Sequence, residues 1–215
     1  MEYNLVTSDL FIEHYLKETH GWCSQEKAQS LIHYTKLSNA QLCVEIGVFG
    51  GASLIPVALA LKEKGSGKIV GIDPWQADAS LEEMHREENK KWWSELDYEK
   101  IYNNFLKDLD LYGITEQSTI LRCKSEDVHE EFQDLSVDLL HIDGNHSEKL
   151  ALQDSILYLP KVKLGGYIFY DDVSWTENDP DKPSTQKGLK HLKQYCTIIE
   201  KTGLDCLILQ KIKNT

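Results

Sequence analysis

The pattern of apolar and polar residues along the chain predicts strands that alternate with helices. Apolar runs long enough for a buried strand lie at 41–48, 68–73, 118–123, 137–143 and 165–172. Helical periodicity lies between or beside them at 53–64, 147–162 and 186–195, and amphipathic segments at 8–19 and 24–38 come first. The last stretch, CTIIEKTGLDCLILQKI, predicts two strands joined at Lys201-Thr202-Gly203.

Strands that are apolar throughout and separated by helices predict a parallel sheet covered on both faces. Right-handed crossovers make a doubly wound, Rossmann-like α/β sheet of seven strands the simplest topology, mostly parallel with one antiparallel strand in the C-terminal hairpin. We expect residues 1–39 to form an N-terminal helical segment and residues 40–215 to form the main domain, with a helical insertion at about 74–115.

The roles of the N-terminal segment and of the insertion at about 74–115 are each open to two interpretations. Trp75, Trp92 and Trp93 of the insertion either form a platform over a substrate, since aromatic faces suit sugar rings and phenols alike, or anchor the insertion to the sheet. The N-terminal segment either covers the ligand crevice or forms a subunit contact, so a homo-oligomer stays open.

Composition narrows the class of protein. The 215 residues are 41% apolar and 27% charged, which suits one α/β domain with a core. The formal charge of -12 argues against a nucleic-acid partner, since phosphates require basic patches. Five cysteines without a CxxC pair indicate reduced thiols in a cytoplasmic protein. The chain shows neither a signal-peptide pattern at its start nor an apolar run of about 18 residues, so we expect no membrane association.

The segment VEIGVFGGAS (44–53) follows a predicted strand and opens a predicted helix. It lacks both the dinucleotide fingerprint and the phosphate loop. Glu45 beside this turn would repel a pyrophosphate but suits a cation, and Asp73 at the end of the next strand is placed to accept ribose hydrogen bonds. A nucleoside with a positive group and no phosphate, such as S-adenosyl-L-methionine, fits this pattern. The alternative is a turn whose glycines are only structural.

Acidic residues end two further predicted strands. Asp143 follows one strand, Asp171 and Asp172 end the next, and parallel strands open at the same edge. Three converging carboxylates favour a hard divalent cation such as Mg²⁺. Adjacent residues of a strand point opposite ways, so Asp171 and Asp172 can both bind an ion only if the chain turns there.

His146, three residues after Asp143, could accept a proton from a substrate at neutral pH. In the alternative interpretation, Asn145 or Ser147 caps the next helix and His146 is merely exposed.

The motifs VEIGVFGGAS, KIVGIDPW, LLHIDGNHS and GGYIFYDDV, in this order over roughly 40–212, resemble the class I S-adenosylmethionine-dependent methyltransferases. The match is best to the metal-dependent O-methyltransferase branch that contains macrocin and related sugar O-methyltransferases, and catechol O-methyltransferase is a more distant relative. On this resemblance, residues 40–215 are the methyltransferase domain.

The resemblance also implies site residues. The methionine end of the cofactor would meet Glu45, Gly47, Phe49, Gly51 and Ser53. Asp73 would bind the ribose, Ser125 and Glu126 would border the adenine, and Asp143 would lie beside the cofactor as well. The metal would be held by Asp143, Asp171 and Asp172, with Asp143 and His146 as the catalytic residues and His146 as the general base.

The catechol-type pattern has Lys where His146 stands and Asn where Asp172 stands, so both positions favour the sugar-methylating branch. The sequence thus predicts a metal-dependent O-methyltransferase acting on a small molecule, with a sugar or glycosylated metabolite as the expected acceptor. The alternatives are a phenol or catechol O-methyltransferase, a catalytically silent S-adenosylmethionine-binding protein and, disfavoured by the missing fingerprint, a nicotinamide-dependent oxidoreductase.

Overall fold

The computed structural model describes residues 6–176 and 183–215. Its strands are β1 (Leu42–Ile46), β2 (Lys68–Ile72), β3 (Ser118–Leu121), β4 (Val137–Ile142), β5 (Val162–Tyr170), β6 (Cys196–Thr202) and β7 (Cys206–Lys211). Its helices are α1 (Ser8–His14), α2 (Gln25–Leu37), α3 (Leu54–Lys64), α4 (Ala77–Leu81), α5 (Glu87–Ser94), α6 (Tyr98–Leu111), α7 (Ser125–Val128), α8 (Glu148–Tyr158) and α9 (Gln186–Leu192).

The strands form one seven-stranded sheet in the order β3-β2-β1-β4-β5-β7-β6. The pairs among β1 to β5 are parallel, whereas β7 is antiparallel to both β5 and β6. Among the described strands β7 alone is therefore reversed. This confirms the predicted doubly wound, mostly parallel α/β fold.

Strand and helix ends differ from the predicted ones. Strand β5 begins at Val162 and not at 165, because Pro160 cannot continue α8 and the helix gives way to a short 3₁₀ turn. The hairpin turn lies at 203–205 and not at 201–203, because β6 and β7 stay paired as far as Thr202 and Cys206.

All five parallel strands end one residue or more before the predicted position. As a result Gly47, Asp73, Asp143 and Asp171 each directly follow a strand end. Because the carboxyl ends of parallel strands share one edge, the fold gathers these residues at a single edge of the sheet.

Apolar side chains pack on both faces of the sheet. One face carries Phe11, Leu31, Leu59 and Phe105, so helices of the N-terminal segment and of the insertion belong to the same core as α3. The other face is covered by residues such as Tyr158. The five cysteines are free thiols. Within residues 6–176 and 183–215, every helix is too short or too polar to cross a bilayer.

Candidate active site

A cavity of about 890 Å³ opens at the carboxyl edge of the sheet. Its wall includes Gly47 after β1, Asp73 after β2, Asp143 after β4, and Asp171 and Asp172 after β5. A volume of this size suits a nucleoside-sized ligand with room for a second molecule. The cavity is therefore where the sequence-predicted residues meet.

The turn after β1 requires glycine at its first position. Gly47 has a φ of 85°, and a Cβ added to it would lie 2.0 Å from the carbonyl oxygen of Asp143. The two strand ends thus touch backbone to backbone at the floor of the cavity. This close approach holds the glycine-rich turn against the acidic strand end.

Replacing Gly47 with alanine is expected to disrupt this contact. Gly65→Ala is a matched control, because Gly65 also has a positive φ, 75°, but a Cβ there would meet nothing within 4 Å. The control should lose about 1–2 kcal/mol of unfolding free energy through backbone strain alone. Gly47→Ala should lose at least about 2 kcal/mol more, since backbone atoms must move apart. Urea unfolding of both variants measures the difference, and equal losses would contradict the contact.

Asp73 organises the same turn. Its carboxylate accepts hydrogen bonds from the backbone N–H groups of Val48 at 3.0 Å, Phe49 at 2.9 Å and Trp75 at 2.7 Å. Burial raises the pKa of Asp73 and outweighs these hydrogen bonds, which lower it. Phe49 and Trp75 both have positive φ angles, 49° and 46°, a strained conformation that the carboxylate stabilises. The predicted contact of Asp73 with the ribose stays a prediction and would use its remaining lone pairs.

The predicted methionine-end residues divide into two groups. Gly47, Phe49 and Ser53 line the cavity. Glu45 is fully buried behind its wall, where it accepts a hydrogen bond from Ser53 Oγ at 2.7 Å. Gly51 faces Phe105, which a Cβ would meet at 2.5 Å. Glu45 and Gly51 thus act on the cavity wall through Ser53 and through packing, and their contact with the cofactor stays a prediction.

At the opposite end of the predicted cofactor site, Ser125 and Glu126 line the cavity. The Ser125 hydroxyl donates to Asp154 at 2.5 Å, and Gln153 donates to Glu126. Burial raises the pKa of Asp154 to about 7. Sequence reasoning missed Asp154, although an acid on the buried stripe of α8, between Ala151 and Tyr158, is an informative signal.

The three predicted metal ligands lie close together, but Asp171 and Asp172 contact different partners. Asp172 has a φ of 54°, so the chain turns directly after β5, as the sequence interpretation required. Asp171 faces the side chains of Lys27 and His141. Asp172 faces His146, with 2.7 Å between Oδ2 and Nε2. We call Asp143, Asp171 and Asp172, with the side chains that contact them, the acidic cluster.

Asp143 lies between the two halves of this cluster. Its Oδ2 is 3.2 Å from Lys27 Nζ, and its Oδ1 is 3.9 Å from His146 Nε2. Burial raises the pKa of Asp143 to about 6, although the Lys27 ammonium opposes this shift. For Asp171 and Asp172, burial also acts to raise the pKa, but the neighbouring cations outweigh it and the pKa of each falls.

His146 is held in the cluster and is not merely exposed. Burial would lower its pKa, but Asp172 and Asp143 outweigh burial and raise the pKa to about 10. Ser147 does cap α8, accepting from the backbone N–H of Leu150 at 3.3 Å, so the predicted cap and the predicted site coexist. Paired with these carboxylates and packed on the Trp175 ring at 4.8 Å, His146 is an imidazolium at neutral pH and has no free lone pair to accept a proton.

Lys27 and His141 are the cluster members that sequence reasoning missed. Lys27 belongs to α2, where the neighbouring stripe of Ala28, Leu31 and Thr35 is buried. His141 lies within the apolar run of β4, with Nδ1 3.4 Å from Glu45 Oε2, and its pKa rises to about 9 because Asp171 and Glu45 outweigh burial. A lysine on a buried helix stripe and a histidine inside an apolar strand were the available signals.

Within residues 6–176 and 183–215, the donor atoms permit two positions for a metal ion. One group is His141, Asp143 and Asp171, and the other is Asp143, His146 and Asp172; the ligand atoms of each lie within 4.8 Å of one another. Lys27 already pairs with both carboxylates of the first group. In the second group, the two carboxylates fit a hard divalent ion such as Mg²⁺, which proteins hold through one or two carboxylates and several waters.

Aromatic side chains form the rim of the cavity. Trp22 stacks on Phe49 with 5.3 Å between ring centroids and also contacts Trp92 and Trp93. Trp75 is buried and donates from Nε1 to the Phe49 carbonyl oxygen at 2.8 Å. Trp75 therefore anchors the insertion, whereas Trp92 and Trp93 line the cavity together with Trp22 of the N-terminal segment. A platform over a substrate stays a prediction.

Two plant proteins are among the curated relatives of this chain. The chain is 28% identical over 177 residues to tricin synthase 1 of Oryza sativa subsp. japonica, which covers 78% of this chain and 62% of that protein. It is 26% identical to caffeoyl-CoA O-methyltransferase 1 of Zea mays, over 85% of this chain and 64% of that protein. The chain thus spans less than two thirds of the length of these curated relatives.

Solved structures share the fold. An O-methyltransferase from Bacillus cereus in complex with SAH superposes with a TM-score of 0.65 at 16% identity, covering 97% of this chain and 93% of that one. The O-methyltransferase TomG from Streptomyces achromogenes, in complex with SAM, superposes with a TM-score of 0.63 at 17% identity, covering 90% and 82%.

A family model described as a methyltransferase domain matches residues 44–173, more than half of the chain. This range contains the glycine-rich turn, Asp73 and all three aspartates of the acidic cluster. The chain therefore belongs to this methyltransferase family, of the class I fold.

Proposed function

We propose that this chain transfers a methyl group from S-adenosylmethionine to a hydroxyl oxygen of a small molecule. One observation carries the proposal: the glycine-rich turn and the acidic cluster open into the same cavity, joined at the contact of Gly47 with Asp143. A nucleoside held along the turn would direct its methyl group toward the cluster. Both reactants would then lie side by side, which removes much of the entropic barrier to transfer.

The cavity residues supply a site at each end of the cofactor. Ser125 and Glu126 border the proposed adenine position, and Asp73 the ribose. The methionine end would lie against Gly47, Phe49 and Ser53, close to Asp143. The Zea mays relative and the structural neighbour TomG are named as O-methyltransferases, and TomG holds SAM, which supports a cofactor in this cavity.

The acidic cluster supplies the acceptor side. Asp143 and Asp172, with His146 beside them, would hold a divalent ion such as Mg²⁺. When bound, such an ion lowers the pKa of an acceptor hydroxyl and orients it. His146 then faces the acceptor and takes up its proton at Nε2 as the methyl group moves to the oxygen. A cation bound to Asp143 and Asp172 would offset the negative charges that keep His146 protonated, and the pKa of His146 would fall.

We propose a sugar or glycosylated metabolite as the acceptor, because His146 and Asp172 match the sugar-methylating pattern. A phenol is the second candidate, favoured by relatives that are named as tricin synthase and caffeoyl-CoA O-methyltransferase. The aromatic rim suits either ring. Transfer of labelled methyl groups to matched panels of glycosides and catechols separates the two. A cytoplasmic location stays a prediction.

Calorimetry with S-adenosylmethionine and with NAD tests the proposed cofactor. We expect binding of S-adenosylmethionine and S-adenosylhomocysteine and no detectable binding of NAD, because the turn lacks the glycine fingerprint that holds a pyrophosphate. Binding of NAD alone would contradict the proposal. Cofactor binding without transfer to any hydroxyl acceptor would favour the catalytically silent alternative.

A further inference from the structure

The Lys27 side chain reaches the centre of the acidic cluster from a different layer of the fold. Its side chain is 7% exposed, with Nζ 3.2 Å from Asp143 Oδ2 and paired with Asp171 Oδ2. His141 Nε2 lies 3.6 Å and 3.4 Å from the same two oxygens. The Lys27 ammonium therefore pairs with the carboxylate oxygens that a metal ion in the first donor group would need.

The backbone around Lys27 is fixed. Ser24 caps α2 by accepting from the Lys27 N–H at 3.1 Å, and Ser30 bonds Thr202 of β6 at 2.8 Å. A Cβ on Gly203 of the hairpin turn would lie 2.8 Å from Ser24 Oγ, so the hairpin packs directly on the start of α2. Helix α2 is thus held on both sides, and its lysine is directed into the cluster.

We propose that Lys27 is a built-in cation that closes the Asp143–Asp171 half of the cluster to metal and confines a divalent ion to the Asp143–Asp172 half, beside His146. The inference rests on the proposed function and deepens it. Lys27 acts as a positioning residue: it directs Asp143 Oδ2 and Asp171 away from the metal and leaves Asp143 Oδ1 and Asp172 to bind it. The metal is then placed next to the proposed base.

Mn²⁺ binding to the full chain, measured by the loss of the free-ion EPR signal, tests this assignment. Lys27→Met removes the charge and keeps the length of the side chain, and it should bind Mn²⁺ at least about tenfold more tightly, because a positive charge within about 4 Å of the carboxylates opposes a second cation. Lys27→Arg retains the charge and should bind Mn²⁺ like the wild type. Lys187→Met, which removes a 61%-exposed lysine, controls for net charge.

A second pair of variants tests the proposal even if the Lys27→Met variant does not fold. Asp172→Asn should weaken Mn²⁺ binding severely, whereas Asp171→Asn should change it little, since Asp171 pairs with Lys27 and His141. Equal losses in both variants would overturn the proposal, as would Mn²⁺ binding by Lys27→Met no tighter than by the wild type. Calorimetry with S-adenosylhomocysteine accompanies every variant: a wild type that fails to bind it would contradict the proposed function and leave the metal pattern to be judged separately.

Discussion

Asp143→Asn is expected to reduce the methyl-transfer rate by about 1000-fold, equivalent to about 4 kcal/mol of transition-state stabilisation. Asp143 is the carboxylate shared by both halves of the cluster, and its asparagine variant would lose the charge that holds a metal through Oδ1 and pairs with Lys27 through Oδ2. The affinity for S-adenosylhomocysteine should change little, since the glycine-rich turn contacts the backbone of Asp143 and not its carboxylate.

Radiolabelled methyl transfer and calorimetry on the same preparation measure the two effects. Asp134→Asn is the control, since Asp134 is 68% exposed and pairs only with Lys161 among the ion pairs of the described residues. Excess chelator should reproduce the loss in the wild type. Undiminished turnover in chelator would contradict the role of a metal, and undiminished turnover of Asp143→Asn would contradict the role of the cluster.

His146→Gln is expected to lower the maximal rate by about 100-fold or more, the usual contribution of a general base. A base works only when it is deprotonated, so the wild-type rate should rise with pH through the pKa of His146. In the metal-free cluster Asp172 and Asp143 raise that pKa to about 10, whereas a cation on those carboxylates would bring it back toward its ordinary value. The glutamine variant should lack this rising limb.

The pH dependence of the maximal rate in saturating metal measures the effect, and NMR titration of the His146 ring with and without metal reports its pKa directly. His33→Gln serves as the control, because His33 is exposed on α2 and makes its ring contact with Tyr34, outside the cavity wall. A His146→Gln enzyme that keeps the wild-type pH profile would remove His146 from the role of base.

The sheet could be predicted because the strands are apolar throughout and the helices between them show a helical period of apolar residues. Strand ends were less predictable. Asp73, Asp143 and Asp171 each lie one residue beyond the end of a strand, although the backbone N–H of each still donates to a carbonyl oxygen of the neighbouring strand. The start of β5 was missed because VKL before Gly165 carries too little apolar signal to separate it from the preceding helix.

The candidate site was predictable as far as it depends on strand ends. Topology brings Asp143, Asp171 and His146 together, and their residue types indicate the chemistry. Lys27 was not predictable in this way, since its place in the cluster depends on how α2 packs on the hairpin more than 170 residues later in the chain. The burial of Glu45 could be read from alternation on β1, which directs its side chain to the face opposite Val44 and Ile46. Its predicted contact with the cofactor stays a prediction.

We propose that the sulfur of the methyl donor lies beside the acidic cluster, and a crystal structure with S-adenosylhomocysteine and Mg²⁺ would show its position. We expect adenine next to Ser125, sulfur directed at Asp143, and the ion on Asp143 and Asp172. Space for an acceptor oxygen should lie about 3–3.5 Å from the position of the transferred methyl carbon. A cofactor bound outside this cavity, or one whose sulfur points away from the three aspartates, would contradict it.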